Sequence, residues 1–161
     1  MIILGIDPGS QNCGYGILQV EKRRIVAAGC DVIKTDTSAK LENRLTVIYE
    51  NIKNVIDEYK PEIAAVETIF YGKNIKSAFT LGHARGVIML ALAQSGIQTF
   101  EYSPREVKQS VVGNGNASKE QVEFMVQKIL NMDIKNKTQD ATDALAIALC
   151  QFNKERFRMK K

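Results

Sequence analysis

Two apolar runs in this chain each end on an acid. Ile2-Ile3-Leu4-Gly5-Ile6 is closed by Asp7 and the turn Pro8-Gly9-Ser10, and Ile63-Ala64-Ala65-Val66 is closed by Glu67. Neither run alternates with polar residues, which is the pattern of a strand covered on both faces. After the first run, Gly14 to Glu21 and Ile25 to Thr35 are β-rich and are parted by the charged turn Glu21-Lys22-Arg23-Arg24, so the opening reads as a three-stranded antiparallel meander. Leu41, Leu45, Ile48, Ile52 and Ile56 then recur every three or four residues, predicting a long helix with one apolar stripe, Ser38 as its cap and Pro61 as its stop. Ile97 to Tyr102 reads as a further strand. Ser77 to Gln94 reads as an amphipathic helix in which Ala78, Gly82, Ala84 and Gly86 permit close packing. Helical segments follow at 104–112, 118–131 and 138–153, with Ser118 and Thr138 as caps and Gly113-Asn114-Gly115-Asn116 as a flexible turn. The order predicts an α/β fold: a mixed five-stranded sheet, three antiparallel strands then parallel ones, with helices on both faces.

Composition narrows the class. At 161 residues, 45% hydrophobic and 25% charged, the chain suits one soluble domain and excludes fibrous or disordered types. The expected organisation is a single domain over 1–153 and a basic tail over 154–161. No apolar stretch approaches the roughly 20 residues that cross a bilayer, and the amino terminus reads as a strand without a signal-peptide pattern, so a cytoplasmic location is expected. Cys13, Cys30 and Cys150 lack metal-ligand spacing and sit in apolar surroundings, as buried reduced thiols do. The net charge of +4 is unevenly spread: residues 1–67 and 120–153 each carry −2, while 68–119 and 154–161 each carry +4. Acidic segments beside basic ones suit a polyanion held next to a cation site.

Asp7 and Glu67 are the candidate chemistry, together with Asp140 and Asp143 near the carboxyl end. Asp is depleted in strands, and a buried acid needs a partner, so strand-terminal acids point to a metal or a reacting group above the sheet edge. Asp140 and Asp143, three apart, share one helix face, and a first-turn position in the helix dipole would keep both ionised. Four carboxylates call for two divalent cations. The all-oxygen donors suit Mg2+, with Mn2+ able to substitute, and disfavour zinc. Two such ions about 3.5–4 Å apart serve in-line attack on a phosphodiester without a side-chain base. The plainer alternative makes Asp140 and Asp143 ordinary helix-start acids, which leaves the two strand-end acids unexplained.

The motifs carrying these acids resemble those of the RuvC-type Holliday junction resolvases. Gly5-Ile6-Asp7-Pro8-Gly9-Ser10 with Gly14-Tyr15-Gly16, then Glu67-Thr68-Ile69-Phe70, are similar to the family's first two blocks. Leu81-Gly82-His83-Ala84-Arg85-Gly86, Val107-Lys108-Gln109-Ser110-Val111-Val112-Gly113 and Asp140-Ala141-Thr142-Asp143-Ala144-Leu145-Ala146 follow in the family's order. The resemblance implies a ribonuclease H-like fold, a homodimer, and Mg2+-dependent symmetric nicking of four-way DNA junctions in recombination and repair. It further implies that Asp7, Glu67, Asp140 and Asp143 are the metal-binding catalytic tetrad, and that the protein works with a branch-migration motor of the RuvA and RuvB type.

The basic middle segment supplies the candidate DNA contacts: Lys73, Lys76, Arg85, Lys108 and Lys119, with Arg105 also in the segment. The resemblance singles out Lys108 and Lys119 as near the scissile phosphate, and Phe70 as an aromatic able to stack at the junction centre. The sole histidine, His83, is expected to serve helix packing, with Gly82 and Gly86 beside it, rather than catalysis. Three other functions compete: a related nuclease acting on RNA precursors, an actin-like ATP-binding module, and a silent DNA-binding protein. The second needs another lobe and a longer chain. The third leaves the four acids unexplained, since they would repel DNA without a cation.

Overall fold

The structure is a computed structural model and describes residues 1–68, 74–134 and 136–158. Five strands, β1 (Ile2–Asp7), β2 (Asn12–Glu21), β3 (Arg24–Lys34), β4 (Ile63–Glu67) and β5 (Gln98–Tyr102), form one sheet in the order β3-β2-β1-β4-β5. The first three are antiparallel neighbours; β4 runs parallel to β1, and β5 parallel to β4. The meander and the mixed sheet expected from the sequence are both present. In the register, Ile6 stands opposite Val66 and Asp7 opposite Gly14, so Asp7 and Glu67 emerge side by side at the carboxyl edge of two parallel strands.

The helices are α1 (Leu41–Tyr59), α2 (Ile75–Gln94), α3 (Pro104–Val112), α4 (Lys119–Leu130) and α5 (Gln139–Arg158). Strand alternation sends successive side chains to opposite faces. Leu4, Ile6, Ala64 and Val66 meet Ile48, Ile52 and Ile56 of α1 and Ile88 and Leu92 of α2. Ile3, Leu18 and Ala65 meet α3, α4 and α5 through Val107, Val111, Val122, Val126, Leu145 and Leu149. Asp7 and Glu67 share the parity of Ile3 and Ala65, which puts both acids on the face under α5.

Glycines let α5 lie directly on the sheet. A Cβ at Gly5 would stand 2.2 Å from the Ala144 carbonyl oxygen, one at Gly14 would stand 1.9 Å from that of Asp140, and one at Gly16 would meet Leu145 at 2.8 Å. Contacts so short exclude any side chain on that patch, so backbone packs on backbone and the first turns of α5 are brought down beside Asp7.

Local chemistry moves three predicted element ends. Ser38 does not cap α1: its N–H and hydroxyl both donate to Asp36 Oδ1, at 2.9 and 2.7 Å, in a local turn, and the helix starts after Lys40 with no side-chain cap. α2 begins ahead of Ser77, at Ile75, because Asn74 Oδ1 accepts the Ser77 N–H at 3.1 Å. α5 continues past Asn153 to Arg158, so the basic run from Lys154 is helical as far as that residue. Thr138 does cap α5, its hydroxyl accepting from the Ala141 N–H at 3.3 Å. The three cysteines are buried free thiols. Among the described residues no helix is long and apolar enough to cross a membrane.

Candidate active site

Three elements deliver the acids and two more deliver the bases. Asp7 and Glu67 come from the ends of β1 and β4, and Asp140 and Asp143 from the start of α5. Lys108 lies on α3 and Lys119 opens α4. Both of these helices start with reciprocal capping boxes, Ser103 with Glu106 and Ser118 with Gln121, which fix where each begins. The six side chains line one cavity of about 350 Å³, walled by Pro104, Val107, Val122 and Ala146. The convergence expected of the four acids is therefore present, and Lys108 and Lys119 are in the same cavity.

Burial and mutual repulsion load these acids. Burial, then the carboxylates of Glu67, Asp143 and Asp140, push Asp7 up to about 8 against a downward pull from Lys119. Burial and then Asp143 push Glu67 up to about 7, opposed by Lys119 and Lys108. Asp143 is also raised, burial outweighing the hydrogen bond that Gln139 Nε2 donates to its Oδ1 at 2.9 Å and the pull of Lys119. This reverses the expectation that the helix dipole keeps Asp143 readily ionised. Asp140 stands in the first turn of α5, but Asp143 lies a turn further in, where the dipole has faded and desolvation dominates.

The donor set fits a hard divalent cation. The cavity presents carboxylate oxygens, while His83 is exposed on α2 and away from it. Burial holds the nearby Cys13 thiol up at about 12, which removes it as a thiolate ligand. Among the described residues no three acids already stand close enough to form a closed cation cage. A bound dication would draw them inward and relieve the desolvation and repulsion that raise Asp7 and Glu67.

The remaining predicted residues divide. Lys76 is exposed in the first turn of α2. Arg85 is not in the cavity lining: its Nε donates to the Glu67 carbonyl oxygen at 3.3 Å and its Nη2 pairs with the Glu101 carboxylate. Phe70 and Lys73 lie outside the described residues. Arg105 is exposed on α3. Sequence reasoning missed the packing role of Gly5, Gly14 and Gly16, although their small-residue spacing along two adjacent strands was readable. It also missed Gln139 and Arg44. Arg44 holds the turn after Asp7, donating from Nη2 to Ser10 O at 2.6 Å and from Nε to Thr35 Oγ1 at 3.2 Å.

Known proteins share the sequence pattern and the fold. Residues 3–151 match the family described as crossover junction endodeoxyribonuclease RuvC. Similar proteins of that description occur in Natranaerobius thermophilus, 44% identical over 160 residues and 99% of both chains, and in Ruminiclostridium cellulolyticum, 46% identical over 97% of this chain and 94% of the relative. The fold is similar to that of Thermus thermophilus RuvC solved in complex with Holliday junction substrate, with TM-score 0.88, 32% identity, and 98% and 96% of the two chains covered. The yeast mitochondrial Holliday junction resolvase Ydc2 shares the fold at TM-score 0.66 and 12% identity, covering 98% of this chain and 82% of its own.

Proposed function

The chain belongs to the RuvC family of crossover junction endodeoxyribonucleases, and we propose that its acid cavity cuts four-way DNA junctions symmetrically with the help of two Mg2+ ions, for which Mn2+ can substitute. The ribonuclease H-like sheet and the nuclease class follow from that membership, which sets aside the RNA-precursor alternative. One observation carries the reading of the site: four carboxylates from two strand ends and a helix face Lys108 and Lys119 across one cavity.

Asp7, Glu67, Asp140 and Asp143 would hold the cations, with Asp7 central because it feels all three other acids. When bound, such ions supply a deprotonated water and stabilise the leaving oxygen of a phosphodiester. The chain's own residues do the rest. Lys119 and Lys108 reach the carboxylates electrostatically, lowering Glu67, and would seat the scissile phosphate between themselves and the cations. Val107, Val122 and Ala146 line the same space with apolar surface and restrict bulk water. Gln139 holds one oxygen of Asp143 by a hydrogen bond, which restrains a carboxylate of the cavity lining. Lys76 would contact phosphates of the arms. For Phe70, as a stacking aromatic, and Lys73, as a phosphate contact, the support is the sequence resemblance alone.

A homodimer belongs to this proposal, because symmetric nicking needs two active sites. Its support is the outer stripe of α2, where Ile75, Phe79 and Leu90 are 72%, 67% and 50% exposed and Gly86 has open space above it. Delivery by a motor complex of the RuvA and RuvB type in the cytoplasm is the remaining element, supported by family resemblance.

The test is cleavage of synthetic junctions. The purified protein with Mg2+ should cut a four-way junction at paired positions and spare linear duplex of the same sequence; equal cutting of both refutes the assignment.

A further inference from the structure

Building on that reading of the cavity, we propose that Arg85 is a positioning residue for Glu67 rather than a contact to DNA phosphate. Glu67 is the last residue of β4, and the N–H of the next residue, Thr68, donates to Tyr102 O at 2.9 Å. A strand end is where a sheet frays, yet a carboxylate there must keep its place to share a cation with Asp7. Arg85 comes from α2, on the sheet face opposite α5. Its Nε donates to the Glu67 carbonyl at 3.3 Å and its Nη2 pairs with Glu101 on β5. One guanidinium thus staples the ends of two adjacent parallel strands. Its side chain is 20% exposed, against 47% for Glu101, so the fork lies beneath its partner.

The same device recurs at the other strand-end acid. Arg44, from α1 on that same face, grips Ser10 O and Ser10 Oγ just beyond Asp7, at 2.6 and 3.1 Å. At both strand ends an arginine thus holds the backbone from behind, at the carbonyl of Glu67 itself and at that of Ser10, three residues past Asp7. A guanidinium with one edge on a carbonyl and its charge matched by Glu101 has little left for phosphate. Lysine cannot replace it, since its three donors radiate from one nitrogen on a flexible stem and do not reproduce the fixed fork by which Nε and Nη2 reach two separate acceptors.

Three variants of the full chain, Arg85→Lys, Arg85→Met and Glu101→Gln, separate the roles. The expected result is single-turnover junction cleavage slowed about tenfold in all three, the loss for a displacement of roughly half an ångström where a full ångström costs about a hundredfold. Junction affinity measured without divalent cation should stay at the wild-type level, and thermal melting should remain cooperative. Mn2+ affinity, titrated in the absence of DNA, should weaken in parallel with the rate. A phosphate contact behaves otherwise: Arg85→Lys would keep near-wild-type cleavage, and Glu101→Gln, by freeing the guanidinium, would bind junctions more tightly. Either result overturns the proposal. So does loss of rate fully accounted for by the unfolded fraction, or unchanged Mn2+ affinity in both Arg85→Lys and Glu101→Gln. The Mn2+ titration needs no nuclease activity, so failure of the wild type to cut junctions would refute the reading of the cavity while this assignment is still judged.

Discussion

Replacing Gly14 by alanine tests whether contact between α5 and the sheet sets the catalytic geometry. The added methyl would stand 1.9 Å from the Asp140 carbonyl oxygen and 2.4 Å from its carbon, whereas ordinary contact begins at 3.4 Å. The obstacle is backbone, so no rotamer change relieves it, and the start of α5 must retreat by about 1.5 Å from the sheet, the difference between those distances. That retreat carries Asp140 and Asp143 away from Asp7 and Glu67. Overpacking of this kind costs about 1–3 kcal/mol of stability, and an ångström of misplacement at a reacting centre costs about a hundredfold in rate. We therefore expect Gly14→Ala to melt cooperatively at lower temperature, to bind four-way junctions, and to cut them about a hundredfold more slowly under single-turnover conditions. Gly29→Ala on β3 is the control: nothing lies within 4 Å of its Cβ position, and both melting and cleavage should match the wild type. A folded Gly14→Ala protein that cleaves at the wild-type rate would refute the claim that this close approach positions the acids.

Other consequences can be measured separately. Asp7→Asn should bind junctions yet leave them uncut, because it removes the acid that every other carboxylate faces; substantial cutting by this variant would sink the metal-site reading. In EDTA the folded protein retains protons on Asp7 and Glu67 that an unfolded chain releases near the ordinary values of 3.8 and 4.5, so stability should fall as pH rises from about 4 to about 8. Thermal melting across that range checks the sign, Mg2+ should flatten the upper part of the curve, and a slope unchanged in Asp7→Asn would mean other groups cause it. Phe79→Glu should turn a dimer into a monomer by light scattering, since it places a charge in the middle of the exposed apolar stripe of α2; a persistent dimer would move the interface elsewhere.

Much of the site was legible because its chemistry is local. Asp7 and Glu67 each end a strand whose apolar run announces the strand, and parallel pairing of two such strands necessarily sets their carboxyl ends at one edge. The Asp140 and Asp143 pair was legible from spacing on a helix with a good cap at Thr138. The state of Asp143 was not, because its shift depends on how deeply α5 sinks and on how far into the helix the residue falls. Nor was Arg85: a basic residue in a basic segment reads as a phosphate contact until its partners across α2, β4 and β5 are known. Ser38 reads as a helix cap for a related reason, since the competing acceptor, Asp36, acts through a turn geometry that residue type alone does not specify.

The sequence by itself determined the order of elements, the strand-end placement of two acids, the all-oxygen character of the donor set and the charge asymmetry that marks a polyanion partner. Those properties reside in residue type and short-range spacing. Tertiary structure alone decided how near the acids come, which lysines face them and which arginine is spent on holding strands. These depend on contacts between residues far apart in the chain, above all the glycine patch of β1 and β2, where the absence of a few Cβ atoms lets a helix lie on the sheet and four separate carboxylates become one site.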